Sequence, residues 1–316
     1  MCTAVSFPAR SHYFGRNLDL ECSYGEAVAV TPRNYPFAFR SVEPMPRHYA
    51  MIGMAHAAEG YPLYYEATNE RGLSMAGLNF PESCVYHPPQ ASKDNIAPFE
   101  LIPWLLGRCA TLAEARDSLR NLNIWHESFA PQLPASPLHW MIADRSGALV
   151  VESTADGLQI YENDVRILTN EPPFPFHRAN LRQYGFLTPD TPAVRTFSRG
   201  AGTFGLPGGL DSASRFVRAA FTARNALVEK TEADSVSQFF HILTAVEQTR
   251  GCCRLPDGSR ELTLYSCCCN TDTGVYYYTT YHNRAITAVN LHREDLEGST
   301  VVSYPLQMAQ RVERQN

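Results

Sequence analysis

Met1–Asp19 reads MCTAVSFPARSHYFGRNLD, and the fold turns on how this stretch pairs. Cys2, Ala4 and Ser6 alternate with Thr3, Val5 and Phe7, the two-residue period of a strand. Pro8 to Ser11 supply turn residues, and His12 to Leu18 return as a second strand. Chain ends usually fray, so a strand that starts at residue 2 marks an end held for a purpose. The residue held there is a cysteine. Loss of Met1, which the small second residue permits, gives Cys2 both a thiol and a free α-amino group. A thiol of pKa about 8.5 can pass its proton to an amine of about 7.7–8 near neutral pH. That nucleophile-and-base pair needs no histidine. The competing reading is a small buried side chain, the usual state of a free cysteine.

With 316 residues, 44% hydrophobic and 19% charged, the composition is that of an ordinary globular protein. The net charge of −5 and the lack of a Lys/Arg cluster argue against a nucleic-acid partner. No apolar run approaches the roughly 18 residues that cross a bilayer. Met1–Asp19 has no basic n-region, apolar h-region or cleavage box, so no signal peptide is expected. Nine cysteines without an export signal fit free thiols in a reducing compartment. These features predict a cytoplasmic enzyme without a membrane partner.

Strands are expected at Ala27 to Thr31, Met51 to Ala57, Tyr61 to Ala67 and Leu73 to Asn79, the last pair joined by the turn Asn69-Glu70-Arg71-Gly72. An apolar stretch, Phe99 to Leu106, and a capping box at Thr111-Leu112-Ala113-Glu114 announce helices. A loop from Asn123 to Pro137 carries Trp125, Phe129 and Leu133. Strands return at Leu138 to Ala143, Ala148 to Ser153, Leu158 to Tyr161 and Val165 to Leu168. Two helices follow, one capped by Ser212 and one opened by Thr231-Glu232-Ala233-Asp234, with Val236, Phe239, Phe240, Leu243 and Val246 at helical spacing. Strands at Glu261 to Cys268, Gly274 to Thr280, Ala285 to Leu291 and Thr300 to Tyr304 close the chain. The order predicts a single α+β domain over residues 1–316, two packed sheets between helical layers.

Around Cys2, the segment Gly15-Arg16-Asn17-Leu18-Asp19 offers Asp19 to orient the α-amine and Arg16 to favour the thiolate. The plain alternative is an ion pair at a strand end. Strict alternation puts residues 16 and 19 on opposite faces, so both can serve Cys2 only if the strand ends or bends at Leu18. Asn79 and Asn170 each end a strand before prolines. They are turn formers or donors to an oxyanion. Arg215 lies in the first turn of a helix, where a cation is mildly unfavourable and a partner is expected. Cys267-Cys268-Cys269 and Cys252-Cys253 make a poor metal site, because neighbours in a strand point to opposite faces. No histidine falls in a metal or triad motif.

Six motifs together resemble one family. They are Met1-Cys2-Thr3, Phe14-Gly15-Arg16-Asn17-Leu18-Asp19, Gly77-Leu78-Asn79-Phe80-Pro81, Leu138-His139-Trp140-Met141, Leu168-Thr169-Asn170, and Gly205-Leu206-Pro207-Gly208 with Ser214-Arg215-Phe216, and the likeness extends to the Tyr-rich strand Val275 to Tyr278. In this order the chain resembles the choloylglycine hydrolases, N-terminal nucleophile hydrolases that include bile salt hydrolases and penicillin V acylases. The resemblance implies a four-layer αββα sandwich, a homotetramer, and a mature chain starting at Cys2 through loss of Met1 alone. It implies Cys2 as nucleophile and base, with Arg16, Asp19 and Arg215 as the polar surround. Asn170, through its amide side chain, and Asn79, through its backbone N–H, would form the oxyanion hole. No cofactor or metal is implied.

Asn79 resembles the bile salt members, whereas the penicillin acylases more often carry Tyr there. Leu18, Tyr64, Tyr65, Phe129 and Leu133 are expected to line a slot for a rigid steroid, with ordinary loop packing as their alternative. The expected reaction is hydrolysis of the amide that joins a bile acid to glycine or taurine. The alternatives are an acylase for penicillin V or another N-acyl amide and, from another class, a non-catalytic protein that binds steroids.

Overall fold

The computed structural model describes residues 1–191 and 198–316. Cys2–Pro8 and His12–Leu20 form the expected hairpin, in register from Cys2 opposite Leu18 to Pro8 opposite His12. Arg260–Asn270 pairs with the outer edge of His12–Leu20, and Val275–Thr280 and Asn283–Asn290 extend the sheet beyond it. Gly15 permits this close pairing: a Cβ there would lie 1.9 Å from the carbonyl oxygen of Cys267. On the other edge, Ile167–Leu168 runs antiparallel to Cys2–Pro8, with Leu168 opposite Ala4. Carrying that register two residues further sets Asn170 beside Cys2.

The second sheet has eight strands, in the spatial order Gly157–Glu162, Ala148–Thr154, Leu138–Ala143, Ser74–Asn79, Tyr61–Asn69, Met51–Ala58, Glu26–Thr31 and Val302–Pro305. Ser74–Asn79 lies centrally and packs against the N-terminal hairpin. Between the sheets, Ala4, Leu18, Ile52, Met54, Ala76, Leu78, Met141 and Val150 form an apolar layer.

Helices close both outer faces. Leu101–Arg108 and Leu112–Leu119 bury Leu101, Trp104 and Leu105 against Met51, Met75 and Ile142 of the eight-stranded sheet. Ser212–Asn225 and Glu232–Thr244 bury Phe216, Phe239 and Leu243 on the seven-stranded sheet. The result is the α+β, four-layer αββα sandwich that the strand and helix order predicts. Caps behave as their chemistry dictates: Thr111 accepts from the Glu114 N–H and Thr231 from the Asp234 N–H.

Three local expectations are corrected. The helix Ser212–Asn225 is capped by Asp211, not Ser212, whose hydroxyl is committed elsewhere. Phe174–Arg182 is a helix absent from the sequence reading. Its prolines sit in the first turn, where the missing N–H costs nothing. The strand carrying Arg16 and Asp19 does not break at Leu18. It runs to Leu20, and the irregularity lies in its partner, between Thr263 and Tyr265.

Candidate active site

Cys2 begins its strand 2% exposed. Its backbone N–H donates to Asn170 Oδ1 at 2.7 Å. Arg215 donates to the same oxygen through Nη2 at 2.8 Å, to Thr3 Oγ1 through Nη1 at 2.7 Å, and to the Cys2 carbonyl. Its Nε is held by the Leu210 carbonyl at 2.9 Å. The buried cation in the first helical turn therefore serves the strand end below it, which explains why it tolerates an unfavourable dipole position.

Asp19 is fully buried on the face opposite Arg16. Its Oδ1 accepts from the Thr263 hydroxyl at 2.6 Å. Its Oδ2 has no hydrogen-bond partner among the described residues. Burial pushes the carboxyl up to about 6, against the opposing pull of Arg215, the chain's ammonium group and Thr263. Met1 extends the pairing: the Asp19 N–H donates to Met1 O at 2.9 Å. The Met1 amine donates to the Asp19 carbonyl at 2.7 Å and pairs with Glu261.

Arg16 approaches from the layer between the sheets. Its Nη1 donates to the carbonyls of Gly77 (2.6 Å) and Tyr65 (3.2 Å), and its buried Nη2 has no partner among the described residues. Burial works against its charge, but Cys2, Tyr265 and Glu66 together hold its pKa above the ordinary value. Arg16 and Asp19 thus flank the Cys2 strand from its two faces, and no strand break is needed.

Asn170 and Asn79 meet directly, with Asn170 Nδ2 donating to Asn79 O at 2.8 Å. The Phe80 N–H donates to Pro137 O at 2.8 Å, so by ladder alternation the Asn79 N–H points to the opposite edge. Pairing on that edge has already stopped at Ala76. The cis peptide Glu171–Pro172 directly follows Asn170.

Sequence reasoning missed the residues that hold Asn170. The Ser212 hydroxyl accepts its N–H at 2.9 Å, and His177 Nε2 contacts its carbonyl at 2.9 Å. His139, stacked on Phe80 at 4.3 Å, lies between Glu152 Oε1 (3.1 Å) and the Thr169 carbonyl (2.9 Å). Only His139 had a sequence signal, its place in Leu138-His139-Trp140-Met141. Ser212 looked like a helix cap.

The expected slot residues divide. Leu18 sits opposite Cys2 in the hairpin. Tyr65 packs against the layer between the sheets. Tyr64 does not: its ring joins the helix-side core and its hydroxyl bonds Thr31 Oγ1 at 2.7 Å. The cause is a β-bulge. Met54 pairs with Glu66 but Ala55 with Tyr64, leaving Tyr65 as the extra residue. The bulge re-aims the side chains that follow it, so Tyr65 and Glu66 share the inner side. Phe129 lies between the rings of Phe99 (5.4 Å) and Tyr61 (5.6 Å), and its N–H donates to Leu133 O at 3.1 Å. Among the described residues, these Tyr64 and Phe129 contacts do not include Cys2. A cavity of about 860 Å³ lies at the Pro8 end of the first strand, lined by Phe7, Leu181, Val217 and Phe221, away from the polar cluster.

One constellation therefore holds a cysteine, two arginines, a carboxylate with a free oxygen, and two amide donors. It can activate a thiol, hold an amine and stabilise negative charge on a carbonyl oxygen. Residues 2–304 match the family model for linear amide C–N hydrolases of the choloylglycine hydrolase family. The bile salt hydrolase/transferase of Lactiplantibacillus plantarum is 50% identical over 314 residues, covering 97% of each chain. The bile salt hydrolase/transferase of Clostridium perfringens is 35% identical over 319 residues, covering 96% of each. The structure of a mutant conjugated bile acid hydrolase from Clostridium perfringens superposes with a TM-score of 0.92 at 33% identity, covering all of both chains. Penicillin V acylase from Agrobacterium tumefaciens shares the fold, with a TM-score of 0.79 at 19% identity over 98% of this chain and 94% of its own.

Proposed function

The chain belongs to the choloylglycine hydrolase family of linear amide C–N hydrolases, and on that premise we propose that it hydrolyses the amide of glycine- or taurine-conjugated bile salts with Cys2 as nucleophile. The observation that carries this reading is the Asn170 carboxamide. One end accepts from the Cys2 N–H while the other donates to Asn79 O, so Cys2, Asn170 and Asn79 are joined in one hydrogen-bonded chain.

Loss of Met1 frees the Cys2 α-amine. Asp19 Oδ2, left without a partner, is the acceptor that orients it. The amine takes the thiol proton, and Sγ attacks the amide carbonyl. Negative charge gathers on the carbonyl oxygen, where the Asn79 N–H and Asn170 Nδ2–H hold it. The amine then returns its proton to the departing nitrogen, the C–N bond breaks, and glycine or taurine leaves. A thioester remains. Water, giving a proton to the same amine, attacks it and releases the bile acid with a free thiol. Arg16 supports the thiolate, and Arg215 fixes Asn170 and the Cys2 carbonyl. The same thioester can pass its acyl group to an amine instead of water, which matches the second activity in the relatives' names.

The steroid slot in this reading uses Leu18 and Tyr65, with the Phe129–Leu133 loop as its outer wall and Tyr64 excluded. The protein works as one catalytic domain in a cytoplasmic homotetramer without a cofactor. Nine free thiols support the reducing compartment, and no helix among the described residues is long and apolar enough to cross a membrane.

The test combines intact mass with parallel assays on glycocholate, taurocholate and penicillin V. Expected are a chain beginning at Cys2, release of glycine and taurine, and slower cleavage of penicillin V. Activity that survives Cys2→Ala overturns the mechanism, and faster cleavage of penicillin V overturns the substrate.

A further inference from the structure

Glu66 is a carboxylate that the reaction above does not use, yet it lies 2% exposed between the two sheets. Its Oε2 accepts from the Tyr265 hydroxyl at 2.7 Å, and its Oε1 from the Tyr276 hydroxyl at 2.6 Å. Cys267 Sγ and the Met54 N–H approach Oε1 at 3.5 and 3.3 Å. Arg16 Nη1 is 3.8 Å from Oε2, the single ion pair of that guanidinium among the described residues. Glu66 comes from the eight-stranded sheet. Arg16, Tyr265, Cys267 and Tyr276 come from the seven-stranded one.

A carboxylate in a dry layer is costly unless it is paired and hydrogen-bonded. Two phenol donors aimed at one carboxylate are a built arrangement, because each tyrosine is itself buried. Arg16 has the complementary problem. Its Nη1 is spent on two carbonyls, its Nη2 is unpartnered, and Cys2 leads the groups that favour its charge, followed by Tyr265 and Glu66. The guanidinium thus pairs with Glu66 and is also favoured electrostatically by Cys2.

We propose that Glu66, clamped by Tyr265 and Tyr276, is a positioning residue that anchors Arg16 and divides its charge between Glu66 and the Cys2 sulfur. The proposal rests on Cys2 being the nucleophile. Removing the Glu66 charge leaves all of Arg16's charge for the thiolate, so the thiolate forms at lower pH. The guanidinium also loses its anchor, so turnover falls although the thiol is more acidic. A residue that only filled space would slow turnover without moving the thiol's titration. Burial already pushes the Glu66 carboxyl up, with Arg16, Tyr276 and Tyr265 opposing. Loss of a phenol donor therefore acts in the same direction as loss of the charge. The other charged and titratable groups around the pair are Tyr65 with Glu26 beside Arg16, and Asp19, Arg215 and Glu261 at the strand end. All of them stay unchanged in the variants below.

The experiment is alkylation of Cys2 by iodoacetamide from pH 5 to 9, quantified on the N-terminal peptide, alongside kcat on glycocholate. In Glu66→Gln the alkylation midpoint is expected to fall by about half to one pH unit while kcat drops roughly tenfold. Glu66→Asp, which keeps the charge, is expected to return the midpoint towards wild type. Should the Gln variant not fold, Tyr276→Phe decides, with a smaller shift in the same direction. A midpoint equal to wild type in whichever variant folds overturns the proposal. If Cys2→Ala keeps its activity, the nucleophile reading fails instead; an inactive Cys2→Ala with an unmoved Glu66→Gln midpoint fails this inference alone.

Discussion

Cys2 and the run Cys267–Cys269 lie two strands apart in one sheet, and they are opposite kinds of thiol. Both are buried. The run lies near the end of an eleven-residue strand but is paired with a neighbouring strand on both edges, and burial pushes Cys267 and Cys268 well above the ordinary thiol range and Cys269 up to about 12. Cys267 and Cys269 face the layer between the sheets and Cys268 the helices, as the Glu66, Thr68 and Glu232 neighbours show. Cys2 sits at a strand end, where polar groups arrive from three other elements: Arg16 from the hairpin's second strand, Asn170 from beyond the edge strand, and Arg215 from a helix. Burial alone makes a thiol inert. Burial at the point where a sheet opens to converging polar groups can make it a tool.

The widest test of this contrast exchanges one atom. Cys2→Ala is expected to lower kcat/KM by at least about 10⁴-fold, whereas Cys268→Ala leaves kcat/KM within about twofold of wild type. Steady-state kinetics on glycocholate checks both. Equal losses at the two positions would erase the distinction.

Asn170→Ala comes next. It removes the amide that links Cys2 to Asn79 and, in the proposed mechanism, an oxyanion donor with it. A loss of about 10²–10³ in kcat is expected, with a smaller change in KM. A change confined to KM would move Asn170 from the reacting carbonyl to ground-state binding.

Asp19 sharpens the comparison on the stability side. Its folded-state carboxyl is pushed up to about 6 from an ordinary 3.8 by burial. The folded chain therefore binds the proton more tightly than the unfolded chain. The stability this gives is fully present below pH 3.8 and is lost as pH rises through 6. Above that, the ionised group costs stability, and in the proposed mechanism it is the ionised form that orients the α-amine. Asp19→Asn is expected to raise Tm by a few degrees at pH 8, to bring no gain at pH 4, and to cut kcat about 10²-fold. Thermal unfolding at the two pH values checks the sign, and a gain at pH 4 that vanishes at pH 8 would reverse it.

The same contrast marks what could be read from the chain itself. Alternation at Cys2–Phe7 and the early turn disclosed the hairpin, and the element order disclosed the four layers, because burial imposes a period on sequence. The position of Cys2, the Asn79 and Asn170 strand ends and the out-of-place Arg215 pointed to the residues that now converge. Tyr64 was misplaced because a bulge leaves no pattern in side-chain type. It shifts the face of the following residues and turns Glu66 inward with Tyr65. Ser212, His177 and Glu66 went unseen for a related reason. Ser212 and Glu66 act through partners distant in sequence, and His177 through a backbone carbonyl seven residues earlier; a single chain carries no record of such pairs until the fold brings them together.

The smallest expected effect lies in the run itself. Cys269 contacts the core through its sulfur and contributes one small buried side chain. Truncation to Ala leaves a void of about one atom, and large-to-small substitutions of that size cost about 1 kcal/mol. In a chain of this length that lowers Tm by about 2 °C. The Cys2 cluster shares no hydrogen bond with Cys269 among the described residues, so kcat/KM is expected to stay at the wild-type value across pH 5–9. Calorimetry and a pH–rate profile on one preparation check both halves. The result that would break the comparison is a kcat/KM loss above about tenfold with Tm unchanged. It would mean that the middle of the sheet and its open end are one energetic unit, and that the inertness of the buried run is part of what tunes Cys2.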